Sequence, residues 1–272
     1  MIRALTIIFS LIACACTAEP QVESERVGAR IVSLDFCADQ YVLKFAAREN
    51  IIALSPDAQK SFSYMREQAN GIPTIRPRAE DILLLNPDMV VRTYGGGPGT
   101  LEFFERAGIN VVQIGYASRL EEIPRVIIEA GKDLGAEDKA RNLAAQVERH
   151  TKITAEPTDR PALYVSSKGA VAGKGTMIDD VMVAAGVTNY EYRTGWRTIP
   201  LEELAFQHPE VIATGFFETT DLVTDRWTPT RHPIAKRQLA KAQRIDIPGA
   251  WTACASWSVL DAINALTQET AK

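Results

Sequence analysis

The chain has little of what metal centres and phosphate-binding surfaces are made from. Three histidines and four cysteines are spread over 272 residues, too thin a supply for a tetrahedral metal site. His150, His208 and His232 stand far apart, and the last two precede proline at helix boundaries, which points to structural roles and to no metal site. Lys and Arg number 30 against 34 Asp and Glu, a net charge of -4. Without a basic excess to neutralise phosphates, nucleic acid is excluded as a principal partner. Nucleotide motifs are incomplete. Gly173-Lys174-Gly175-Thr176 puts a glycine between the Lys and the Thr of a phosphate loop. Tyr94 to Gly99 lacks the dinucleotide spacing, and Pro98 would interrupt the helix that should follow. Neither a G-x-S-x-G elbow nor an H-E-x-x-H pair occurs.

What is present is ordinary for a globular protein: 46% apolar and 24% charged residues. The length suits about two domains, or one large one. Met1-Ile-Arg3 followed by the apolar run Ala4 to Ala13 has the layout of a signal peptide, expected over residues 1–18, with a flexible leader over 19–29. Two cleavage modes remain open. Leu11-Ile-Ala-Cys14 resembles a lipobox, in which Cys14 would be lipidated; cleavage near Ala18 would instead leave two cysteines, Cys37 and Cys254. No later apolar stretch approaches the roughly 20 residues of a spanning helix, so an exported, soluble mature protein is expected.

Short β-branched runs alternate with helical patterns from Arg30 onward, which argues for βα units around parallel sheets. Tyr41 to Ala47 reads as the first helix. Between Leu120 and Ile153 no strand signal appears, and the pattern predicts one long helix or two in series, Leu120 to Leu134 and Glu137 to Ile153, interrupted at Gly135. Strand and helix signals then resume. Glu80-Asp-Ile82 with Asn86-Pro-Asp88-Met-Val90 matches Glu202-Glu-Leu204 with His208-Pro-Glu210-Val-Ile212 at a constant offset of 122. The repeat predicts two lobes of similar build, with the helical segment between them.

Together, Arg30-Ile-Val-Ser-Leu34, Pro77-Arg-Ala-Glu80-Asp-Ile with Asn86-Pro-Asp88, Gly175-Thr-Met-Ile-Asp179 with Ala185-Gly186 and Asn189, Gly195-Trp196 ahead of Pro200-Leu-Glu202, and His232-Pro233 resemble the ABC-transporter substrate-binding proteins for iron chelates and vitamin B12. The resemblance implies an α/β fold of two lobes with parallel central sheets, an N-terminal lobe over 30–118 and a C-terminal lobe over 157–272. A long rigid helix within 119–156 would join them, and a ligand would sit in the cleft between. It further implies a periplasmic monomer that delivers a cobalamin, haem or siderophore chelate, as cargo and not as cofactor, to a membrane permease. Glu80 and Glu202 match positions that present one carboxylate per lobe to the permease in the vitamin B12 members. Where many members carry Thr-Glu after the first strand, this chain has Asp39-Gln40 preceded by Phe36-Cys37.

Ligands in open parallel sheets gather at the carboxyl ends of strands. The candidates there are Asp35, Phe36, Tyr94, Tyr116, Lys168, Phe216 and Trp251, joined by an aromatic and cationic loop of Tyr190, Tyr192, Arg193, Trp196 and Arg197. Broad aromatic faces suit flat chelates, and Arg and Lys suit their carboxylates. Trp196, which also matches a cleft Trp of the vitamin B12 members, and Trp251 lead the set. Phe103, Phe104 and Phe206 read as core. Cys37 and Cys254, expected in loops at the cleft mouth, are either a disulfide or two free thiols. An exported α/β enzyme remains the alternative, with Asp35, Asp39 or Lys168 as acid or base.

Overall fold

The computed structural model describes residues 28–152, 158–166, 168–216 and 232–270. The expected signal peptide, Cys14 and most of the leader lie outside the described residues.

The first half is built from β1 (Ile31–Ser33), α1 (Phe36–Phe45), β2 (Ile51–Ala53), α2 (Ala79–Leu83), β3 (Met89–Arg92), α3 (Thr100–Arg106) and β4 (Asn110–Gln113). Its four strands are parallel in the order β2-β1-β3-β4. All are short, and β1, β2 and β3 are β-branched and largely buried, as a sheet covered on both faces requires, while the edge strand β4 is half exposed. α1 starts at Phe36, five residues before the helix expected from periodicity. The cause is Asp35, whose carboxylate caps the helix by accepting the N–H of Ala38 at 2.9 Å. Cys37 is therefore in the first helical turn and not in a loop.

Two helices follow, α4 (Ile123–Asp133) and α5 (Glu137–Lys152). The linking segment is thus the pair and not a single long helix. α4 ends at Asp133 and the chain turns away at Gly135, whose φ of +70° suits a residue without Cβ, and the N–H of Ala136 closes the turn onto Gly131 O. The two helices pack closely, with Gly131 against Ala140.

The second half comprises β5 (Thr158–Ser166), β6 (Ala170–Ala172), α6 (Met177–Ala184), β7 (Val187–Asn189), β8 (Trp196–Thr198), α7 (Leu201–Phe206), β9 (Val211–Phe216), α8 (Pro233–Leu239), β10 (Gln243–Pro248), α9 (Gly249–Thr252) and α10 (Val259–Thr270). β7, β9 and β10 continue β5 in parallel, in the spatial order β7-β5-β9-β10, which repeats β2-β1-β3-β4. β3 and β9 begin at Met89 and Val211, and α2 and α7 at Ala79 and Leu201, each pair 122 residues apart. The antiparallel strands β6 and β8 are additions to the second sheet.

One apolar cluster runs through both halves. It joins Tyr41, Phe45 and Val91 to Ile123, Ile127 and Val147 of the helix pair, and on to Tyr164, Trp257 and Ile263. Smaller clusters cover the far face of each sheet, around Phe104 in the first half and Leu204 in the second. Phe104 is core, as expected, while Phe103 beside it is partly exposed and Phe206 is not core at all.

Candidate ligand cleft

The carboxyl ends of the two sheets are brought together by the segments that follow β1 and β10. Cys37 of α1 and Cys254, just beyond α9, form a disulfide with Cα atoms 5.3 Å apart. Around it, Ser256 Oγ donates to Gln40 Oε1 at 3.0 Å, Tyr41 meets Trp257 edge to face, and Lys44 lies over the Trp257 ring. Tyr64 OH donates to Asp261 Oδ2 at 2.8 Å, and burial together with that carboxylate pushes its phenol up to about 12. On the linker side, Arg119 grips Asp180 of α6 with two hydrogen bonds.

The expected site residues take several different positions. Asp35 is buried and does not offer a carboxylate to a ligand. Its oxygens accept the N–H groups of Ala38, Thr93, Tyr94 and Gly95 and the Thr93 hydroxyl, so it ties the loop after β1 to the loop after β3. The close approach explains Gly95: a Cβ there would come within 2.5 Å of Leu34 O. On this frame stand Phe36 and Tyr94, with ring centroids 6.2 Å apart, and Phe36 also meets Phe62 at 5.0 Å. Tyr94 is 56% exposed, and Tyr116, after β4, is 76% exposed. Burial and the carboxylate of Asp35 raise the Tyr94 phenol further, so it is neutral at physiological pH.

In the second half the expected aromatic and cationic loop is divided. Trp196 and Arg197 belong to β8, not to a loop, and pair with Ala172 and Val171. Trp196 is 56% exposed and packs edge to face on Tyr164, whose hydroxyl end fits against Gly215 at the carboxyl end of β9. Tyr192 instead lines a cavity of about 560 Å³ with Pro161, Asn189, Tyr190 and His208, at the amino ends of β5 and β9. Arg193 stacks over Tyr192 and is committed to ion pairs with Glu191 and Glu203. Neither Tyr192 nor Arg193 therefore serves a cleft at the carboxyl ends. Lys168 is exposed in the turn after β5, and Phe216 closes β9 opposite Pro248.

Trp251 lies in the single turn of α9, not in a loop, and is half-buried against the shared core. It walls a cavity of about 690 Å³ with Tyr64, His150, Trp257 and Asp261, between α1, α5 and α10. Asp39 is fully buried. Its carboxylate accepts from the N–H and hydroxyl of Ser55, and burial outweighs those bonds, raising it to about 6. His232 caps α8, and His150 bonds the Gln146 carbonyl on α5, which are structural tasks. Glu80 and Glu202 are both exposed, in the first turns of α2 and α7. Among the described residues no group of three metal-ligating side chains occurs, and no helix is long and apolar enough to cross a membrane.

A family model described as periplasmic binding protein matches residues 42–216, more than half of the chain. The chain belongs to the periplasmic binding protein family. Solved structures of similar fold include the periplasmic haem-binding protein HutB of Vibrio cholerae, with a TM-score of 0.71, 18% identity and coverage of 90% of this chain and 99% of that one. A periplasmic haem-binding protein from Pseudomonas aeruginosa matches with a TM-score of 0.64 and 19% identity over 89% of this chain and 92% of its own. The vitamin B12 binding protein BtuF of Vibrio cholerae matches with a TM-score of 0.60 and 17% identity over 88% and 95%. No curated protein sequence matches the chain. Phe62 and Tyr164, which complete the aromatic surfaces of the two lobes, were not among the residues expected from sequence. The alternation of aromatic and serine in Ser61-Phe62-Ser63-Tyr64 was the signal for the first; Tyr164 carried none, sitting inside an apolar strand.

Proposed function

We propose that the protein is the periplasmic substrate-binding component of an ABC importer, and that it captures a metal chelate of the haem, cobalamin or ferric-siderophore class between its lobes and delivers it to the membrane permease. The observation that carries this is the pair of exposed aromatic surfaces raised on the carboxyl ends of two joined sheets. Phe36, Tyr94 and Tyr116 stand on one lobe and Trp196, backed by Tyr164, on the other. Flat faces of that kind gain most from a flat, apolar ligand, and Lys168 and Arg197 add cations for its carboxylates. The exposed phenol of Tyr116 is also a donor type that ferric haem accepts. Haem is therefore the first cargo to test, with cobalamin and ferric siderophores as the other members of the class. Glu80 and Glu202, one per lobe, would give the complex its orientation on the permease through charge complementarity.

The enzyme alternative loses two of its three acid or base candidates and keeps only the exposed Lys168. Asp35 is filled by five donors, and Asp39 is fully buried. Titration of the purified protein with haemin, cyanocobalamin and a panel of ferric siderophores, followed by tryptophan fluorescence and calorimetry, tests the proposal. Saturable, stoichiometric binding of one ligand without turnover is the expected result. Product formation, or silence across the panel, would overturn it.

A further inference from the structure

The repeated corner formed by α2 and β3, and by α7 and β9, is repeated in its burial as well as its sequence. At the offset of 122, Glu80 and Glu202 are exposed, Ile82 and Leu204 buried, Pro87 and Pro209 buried, and Val90 and Ile212 buried. One pair breaks the usual rule that large apolar side chains go inside. Leu84 is 86% exposed and its counterpart Phe206 is 90% exposed, more than any other large apolar side chain among the described residues. A single exposed Leu or Phe is ordinary. Two at the same position of an internal repeat share a cause that acts on both lobes.

Helical spacing places each beside its lobe's carboxylate. Leu84 is the helical C-cap of α2, four residues after Glu80, and Phe206 ends α7, four residues after Glu202. Residues i and i+4 share a helix face, with Cβ atoms about 5–6 Å apart. Each lobe therefore presents one acidic and one large apolar side chain on one short helical face, and the pair is duplicated by the pseudo-repeat. Duplication of a mixed charged and apolar element suits a partner that is itself two-fold, since each of its subunits then offers the same basic residue and the same apolar socket. The carboxylate selects a cationic surface and steers approach, whereas the buried apolar side chain slows release.

We propose that Leu84 and Phe206 are the apolar anchors of a duplicated docking element, inserting into equivalent sockets on the two subunits of a dimeric membrane permease while Glu80 and Glu202 meet its cations. The proposal rests on the importer reading above. It also accounts for the failure of Phe206 to join the core: the side chain is held out for a partner.

The test measures binding of labelled mature protein to right-side-out membrane vesicles from the native host, with liposomes made from the extracted lipids alongside. Leu84→Ser, Phe206→Ser, the double variant and the paired Glu80→Gln/Glu202→Gln variant are compared, each first shown to melt and to bind the cargo as the parent does. Saturable vesicle binding, weakened about tenfold by each apolar substitution and further by the double, is the expected result. Loss of binding in the glutamine variant with unchanged binding in Leu84→Ser/Phe206→Ser would overturn the anchors and leave the importer reading standing. Absence of saturable binding by the parent protein would overturn both. Equal binding to the protein-free liposomes would identify a lipid surface as the occupant and overturn the permease sockets.

Discussion

Replacing Asp39 with Asn should stabilise the protein, increasingly as pH rises from about 4 to about 6. The carboxylate is fully buried and holds its proton to about 6, against 3.8 for the free side chain. Between those values the folded state binds more protons than the unfolded state, so this group's contribution to stability is complete below pH 3.8 and is lost as pH rises to about 6. A shift of this size corresponds to about 3 kcal/mol at neutral pH, a sizeable share of a typical folding free energy. The introduced carboxamide keeps the geometry: its carbonyl can accept the Ser55 N–H, and its NH2 can donate to the Ser55 hydroxyl, in place of the two bonds the carboxylate accepts. Urea unfolding of parent and Asp39→Asn at pH 4, 5, 6, 7 and 8 measures the difference. It should be near zero at pH 4, grow through pH 5, and level off at about 3 kcal/mol above pH 6. A difference that does not change with pH, or a variant less stable than the parent at pH 7, would refute the assignment of the shift to burial.

Other substitutions probe the same frame. Trp196→Ala should weaken cargo binding by about 1–3 kcal/mol with little change in melting temperature, because the ring is half exposed and stacks outward from Tyr164; calorimetry and a thermal melt separate the two effects. Asp35→Ala should destabilise by about 2–4 kcal/mol, read by urea unfolding, since it orphans three backbone N–H groups of the loop after β3 and removes the cap of α1. Removing the disulfide as Cys37→Ala/Cys254→Ala releases a loop closed over 217 residues, which the chain-entropy relation puts at about 5 kcal/mol. Cargo affinity should be largely retained, because Gln40, Tyr41 and Tyr64 still tie the same segments together.

The α/β class, the helical divide and the 122-residue repeat are visible in the sequence because periodicity and proline placement record them directly. The repeat even carries the strand order, since β3 and β9 occupy the same place in their sheets. Long-range commitments of side chains leave no such trace. Asp35 reads as a cleft carboxylate until the loop after β3 arrives to fill it, and Arg193 reads as a ligand cation until Glu203 comes from the next helix. The cluster around Trp196 was divided for a related reason. β8 is three residues long and pairs with β6 across an intervening helix and strand, too weak a local signal to show that Tyr192 and Trp196 leave the chain at different ends of the sheet. Phe206 was misplaced because helical spacing alone cannot tell a face turned to the core from one turned to a partner.

The bond between Cys37 and Cys254 has a consequence for resistance to proteolysis. It brackets all but the outermost described residues, so a protease that cuts any one peptide bond between them liberates no fragment. The apolar cluster that runs through both lobes holds the pieces in register as well. A nicked molecule should migrate as one species on a non-reducing gel and as two on a reducing gel, and should still bind its cargo. For a binding protein of this build, a single cut would then be a scar and not a loss.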